Sequence, residues 1–384
     1  MGSKETIRNG NIRNWGLIVA LAAVAVVVGI VVWVLIARSA SYPQPDYWPT
    51  AEWKTATPEQ QGMRSDVLAG LFDQPEAAGL RSVVVVRNGY IVAEGYNLNQ
   101  ASGEKVDVYN VTQSIISALT GIAMQEGKLK NVNTTVASLL PDWMAFDDAV
   151  KKQITLQHLL TMTAGLKWDN TDERSTMQMQ ETDIWAQFYA GQPMTAGRPG
   201  EQFVFSNGSA QLMSAILEKV TGMRTWQYAN EKLFGPLGIE DAEWLTDPSG
   251  TAVGSWGAHM STRDMAKIGL LYLSGGRWED KQIVPRSWVN KSTRAYVIEQ
   301  MEDGEKRGFG YYWWIRGIDP KADPSKVKAK DAVYSAMGVG GQRIVVVPKY
   351  GMVIAMTGNQ FSDPFFANRL IDEYILPAVK SDKP

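Results

Sequence analysis

SVVVVRNGYIVAEGYN (residues 82–97) sets two runs of β-branched and aromatic residues on either side of Asn88-Gly89. A two-residue Asn-Gly connection suits the left-handed turn that joins twisted antiparallel strands, so the stretch reads as a β-hairpin. A second pair of such runs, RIVVV and MVIAMTG, flanks the turn PKYG at 348–351. Between the hairpins the dominant pattern is helical, as in SAQLMSAILEKVTG and RDMAKIGLLYLSGG, each closed by glycine as a C-cap would be. A last helix is expected near 363–380, directly after the second hairpin. This order predicts an α+β fold: an antiparallel sheet built from the N- and C-terminal parts, a large helical insertion between them, and a site between the two lobes.

Upstream of that fold, residues 16–37 read GLIVALAAVAVVVGIVVWVLIA, 22 residues without a charge. At 1.5 Å rise per residue they span a hydrocarbon core of about 30 Å. A cleaved signal peptide would have a shorter apolar run ending in a small-x-small site, which ARSAS fits poorly. Lys4, Arg8 and Arg13 precede the run and Arg38 alone flanks its far side, so the N-terminus is expected in the cytoplasm and the rest outside. The expected organisation is therefore a cytoplasmic tail (1–15), one transmembrane helix (16–37), a proline-rich linker (38–60) and a folded domain (61–384), anchored in the cell membrane by a single pass.

Composition narrows the chemistry. The chain has 384 residues, 45% of them hydrophobic, and its 38 Lys and Arg nearly balance 40 Asp and Glu. No basic stripe suggests a nucleic-acid partner. The absence of cysteine removes disulfides, thiolate metal sites and a cysteine nucleophile. With only His158 and His259, a histidine-rich metal site is excluded and any Ser-His-Asp triad would rest on one of the two. Nothing in the sequence implies a cofactor, and it leaves the oligomeric state open.

Several segments carry a family resemblance covering residues 50–380: WKTATPEQQGM, GIAMQEGKL with LLPDW, ITLQHLLTMTAGLKW, PGEQFVFSNGSAQLMSAILEKVTG, HMSTRDMAKIGLLYL, GFGYYWW and GVGGQRIVVVP. In order and spacing the chain resembles the serine β-lactamase and penicillin-binding-protein-like hydrolases, particularly the branch with class C β-lactamase-related esterases and 6-aminohexanoate-dimer hydrolases. The resemblance implies a β-lactamase/transpeptidase-like fold. It also implies a nucleophilic serine at the start of the first core helix and a lysine three residues later, an S-x-x-K element in which a desolvated lysine takes the serine proton.

At those places the chain has YNVTQS, so the nucleophile position is Asn110 and the base position Gln113. The family's Y-x-N element falls on Phe205-Ser206-Asn207: the phenol is missing, and Asn207 remains to contact substrate. The K-T-G-like strand corresponds to Gly338–Gln342, where Gly340, Gly341 and Gln342 are expected to line the cleft and offer a backbone N–H to an oxyanion. Literal S-x-x-K matches at Ser102–Lys105 and Ser325–Lys328 lie in a Gly-containing loop and a Lys-rich segment, the wrong contexts.

Plainer readings exist for most of these residues. Asn110 is a favoured N-cap and Gln113 could complete a capping box. His158 suits a structural hydrogen bond, and His259 precedes Ser261, a helix cap. Trp168, Trp185, Trp313 and Trp314 belong to core or cleft wall. The expectation is a membrane-anchored, catalytically impaired relative of serine hydrolases whose cleft holds a small-molecule or peptide ligand, an amide or ester by family analogy. An active esterase or amidase using Ser114 or Ser117, and a structural subunit of an envelope assembly, are the alternatives.

Overall fold

The computed structural model describes residues 42–97, 101–144, 148–170, 181–195, 197–240, 242–328 and 331–380. The predicted transmembrane segment, 16–37, lies outside the described residues. Among those described, no helix is long and apolar enough to cross a membrane.

Both predicted hairpins form. β1 (Leu80–Arg87) and β2 (Tyr90–Tyr96) are joined through Asn88 and Gly89 at φ 51° and 88°, the left-handed pair such a turn requires. They lead into an eight-stranded antiparallel sheet whose other members are β3 (Val297–Gln300), β4 (Lys306–Phe309), β5 (Trp314–Gly317), β6 (Ala332–Met337), β7 (Arg343–Val347) and β8 (Met352–Gly358). The spatial order is β2-β1-β8-β7-β6-β5-β4-β3, with β1 and β8 in register at Val84 and Ala355. The C-terminal part of the sheet thus starts at Val297, earlier than the second hairpin. Short strands such as VIEQ and KRGF carry charge at the edge and show no alternating apolar pattern, so periodicity does not reveal them.

Each face of the sheet is covered. On one, Val83, Val85, Val345, Ile354 and Met356 pack with Phe366, Leu370, Ile371 and Ile375 of the C-terminal helical segment. On the other, helix α3 (Thr262–Leu273) crosses β1, β7 and β8, and Gly269 permits the approach because a Cβ there would lie 2.3 Å from Val353. Helix α1 (Val111–Gln125) is buried on every face from Val111 to Ala123, as expected of a central core helix, and contacts α2 (Asn207–Thr221) and β6.

The linker expected over 38–60 is in large part docked on this domain. Tyr47 donates to the Gly89 carbonyl at 2.9 Å, Trp48 packs on Trp278 at 5.0 Å, and Lys54–Ala56 pairs with Ile91 on the outer edge of β2. The aromatic residues in this proline-rich stretch supply apolar area that a free spacer would leave in water.

Candidate functional site

The approach to α1 is held rigidly. Val108 N–H donates to Ala258 O, and the Asp107 carboxylate accepts from the N–H groups of Tyr109 at 2.7 Å and Gly257 at 3.1 Å. Tyr109 takes φ 47°, an uncommon conformation for a residue with a Cβ, and so delivers Asn110 at a sharp turn into the helix. The predicted capping role of Asn110 does not hold. Its backbone is already helical, at φ −67° and ψ −5°, and its side chain makes no cap hydrogen bond. Instead its Nδ2 donates to Asn207 Oδ1 at 3.1 Å and to Ser255 O at 3.3 Å. Gln113, only 2% exposed, directs Nε2 toward the same Asn207 oxygen at 3.5 Å.

Three carboxamides therefore converge where the resemblance places a hydroxyl, an amine and a substrate contact. Asn207 is fixed by α2, whose N-cap Ser206 accepts from Ser209 N–H at 3.2 Å. Asn170, which no sequence pattern singles out, braces this turn: its Oδ1 accepts from Asn207 N–H at 3.0 Å and its Nδ2 donates to Phe205 O at 3.0 Å. The Phe205 ring stacks on Trp314 at 6.3 Å, while Phe309 meets Trp314 edge-on at 4.7 Å.

Asn110 and Phe205 line a cavity of about 360 Å³, whose far wall comes from β5, the end of β6 and the β3–β4 hairpin. The glycine-rich element enters differently from the expectation. Gly338 and Val339 line the cavity, and a Cβ on Gly338 would lie 2.6 Å from Val108 O and 3.2 Å from Asn110 N. Gly340 and Gly341 form the turn to β7 rather than a strand, at φ 73° and 102°, and a Cβ on Gly341 would strike Phe366 at 2.4 Å. Gln342 is 2% exposed and staples β8: Nε2 donates to Gly358 O at 2.8 Å and Oε1 accepts from Gly358 N–H at 3.0 Å. It is thus a brace behind the cleft, and the cleft-lining residues of this element are Gly338 and Val339, four and three positions earlier.

The other hydroxyls and histidines have structural partners or lie elsewhere. Ser114 donates to Tyr312 O at 2.5 Å and is buried, as is Ser117. Ser102 lies in an exposed turn, and Ser325 in a short surface turn where it donates to Asp323. His158 completes a capping box with Thr155, its Nδ1 accepting from Thr155 N–H at 3.2 Å; burial lowers its pKa and keeps it the neutral acceptor that this bond needs. His259 lies 3.1 Å from Gly257 O, and Ser261 caps α3 as its position before T-R-D suggests. None of these residues lines the Asn110 cavity.

Among the described residues, no group of three or more His, Asp or Glu side chains is placed to hold a metal ion.

Comparison with known proteins gives the arrangement a context. The Beta-lactamase family profile matches residues 61–376. A 6-aminohexanoate-dimer hydrolase from Paenarthrobacter ureafaciens is 24% identical over 323 residues, covering 78% of each chain. Among solved structures, a proposed 6-aminohexanoate-dimer hydrolase from Bacillus anthracis superposes with a TM-score of 0.68 at 19% identity, covering 88% of both chains. A class C β-lactamase from Rhodobacter sphaeroides gives 0.58 at 15% identity, covering 82% of this chain and 99% of that one. These structural likenesses establish the fold alone.

Proposed function

Because the chain belongs to the beta-lactamase family, a family of serine hydrolases, we propose that its cleft binds an amide- or ester-type ligand without turning it over. The observation that carries this reading is the carboxamide cluster: Asn110 and Gln113 both point amide nitrogens at Asn207 Oδ1, at 3.1 and 3.5 Å. A carboxamide is a poor nucleophile and has no amine to accept a proton, so the acylation step lacks both attacking group and base. Phe205 likewise supplies a ring without a hydroxyl. Ser114, the strongest substitute nucleophile by position, gives its hydrogen to a backbone carbonyl and, among the described residues, makes no hydrogen bond to a basic side chain. What supports a binding role is the cavity lining: the Phe205 and Trp314 rings and the Gly338-Val339 edge beside Asn110.

The test is chemical labelling together with turnover. The purified protein is expected to form no covalent adduct with a fluorophosphonate or a fluorescent penicillin, and to hydrolyse p-nitrophenyl butyrate no faster than buffer. A stoichiometric adduct mapped to Ser114 or Ser117, or turnover abolished by replacing either, would overturn the reading in favour of an active hydrolase.

We also place the domain on the outer side of a membrane, on the support of the uncharged 16–37 run with Lys4, Arg8 and Arg13 ahead of it. Protease added to intact cells or spheroplasts is expected to digest the domain while a tag at residue 2 stays protected. A tag reachable from outside would reverse the orientation.

A further inference from the structure

The wall of the cleft opposite Asn110 carries charge that the three substituted positions do not account for. Glu299, near the end of β3, and Glu302, in the β3–β4 turn, both line the cavity. Four acids are clustered in this hairpin, and they fall into two kinds. Asp303 and Glu305 are ion-paired with Arg307. Glu299 and Glu302 make no side-chain hydrogen bond or ion pair with any described residue. Glu299 is half-buried and Glu302 exposed, and desolvation raises the Glu299 pKa; Arg307, its cross-strand partner, directs its guanidinium to Asp303 and Glu305 instead.

Among the described residues, Arg343 is the one cation in the cavity wall, and it is already committed. Its Nη1 donates to Gly338 O at 2.7 Å and Gln342 O at 2.8 Å, its Nε to Asn368 Oδ1 at 3.1 Å, and its Nη2 to Pro364 O. It braces the end of β6 from behind. The same cavity has an aromatic lining: Phe205, Trp314 and Phe365 contribute to it, as does Val339, which is 46% exposed. An aromatic face beside two unpaired carboxylates suits a cation carried on an apolar body, since a desolvated ammonium gains from both the carboxylates and the ring.

We propose, resting on the binding reading above, that the cleft selects cationic amphiphiles: amides or esters whose apolar body lies on Phe205, Trp314 and Phe365 and whose ammonium end is held by Glu299 and Glu302. Selectivity then lies in the β3–β4 hairpin, on the wall facing the substituted catalytic positions.

Three probes of the same shape test it: 4-phenylbutylamine, 4-phenylbutanol and 4-phenylbutyrate, titrated into the purified protein at pH 7 by calorimetry or NMR. The amine is expected to bind about tenfold or more tighter than the alcohol, and the acid weakest of the three. That preference should shrink in high salt, because it is electrostatic and partly exposed. In the double variant Glu299→Gln/Glu302→Gln, with its melting midpoint checked, the amine should fall to the affinity of the alcohol. If amine and alcohol bind equally, or the acid binds tightest because Arg343 governs the field, the proposal fails while the binding reading survives. If none of the three binds, both fail.

Discussion

Restoring serine, lysine and tyrosine together, as Asn110→Ser, Gln113→Lys and Phe205→Tyr, is expected to raise p-nitrophenyl butyrate hydrolysis about 10²-fold or more above the parent. That corresponds to about 2.7 kcal/mol of transition-state stabilisation. The ground for expecting it is that the positions converge in space: residues 110 and 113 both reach Asn207, and residues 110 and 205 line the same cavity. Gln113 is 2% exposed, so a lysine in its place would be desolvated and its pKa lowered, the condition for a base near neutral pH. Activity of the triple variant should accordingly rise with pH as that lysine loses its proton. Each single reversion should gain less than about tenfold, since catalytic groups act as a unit. If the triple variant folds with an unchanged melting midpoint and shows no gain on any ester or amide, the cleft has diverged beyond these residues and the structural-subunit alternative takes precedence.

Trp313→Ala is expected to cost about 3–5 kcal/mol of stability, whereas Trp314→Ala should cost clearly less and remove ligand binding instead. Trp313 is completely buried against Tyr272 at 4.4 Å and Tyr334 at 5.7 Å, so truncation leaves a cavity in a close-packed region. Trp314 is partly exposed and forms the cleft wall with Phe205 and Phe309, so its loss removes area that a ligand would cover. Urea titration of both variants, with the slope compared to confirm the same unfolded reference, checks the stability order. Titration of 4-phenylbutanol checks the binding order, with at least a tenfold loss expected for Trp314→Ala. A reversed order in either measurement would show that the two adjacent rings have been assigned to the wrong roles.

What the sequence determined by itself was local or categorical. Asn88-Gly89 dictates its hairpin because the φ values the turn requires are available to those two residues at little cost. Gly222 ends α2 because a left-handed C-cap favours glycine, and it takes φ 73°. That residues 110, 113 and 205 cannot supply an activated hydroxyl, an amine and a phenol is fixed by their chemical identity wherever they lie. Tertiary structure decided everything that depends on which neighbour a side chain meets. Asn110 has the composition of a helix cap, yet it turns from the helix to Asn207 because α2 presents an acceptor there. Gln342 reads as a cleft residue by its place in a glycine-rich stretch, but the turn at Gly340 and Gly341 rotates it into the sheet to pair with Gly358. Glu299 and Glu302 are indistinguishable in sequence from Asp303 and Glu305; Arg307 stands opposite Glu299 in the strand pairing, yet its guanidinium turns to Asp303 and Glu305, and Glu299 and Glu302 line the cavity. Trp313 and Trp314 are the same residue type one position apart, yet Trp313, just before β5, is buried against Tyr272 and Tyr334 while Trp314, the first residue of β5, lines the cleft, because burial is set by the neighbours each side chain meets and not by residue type.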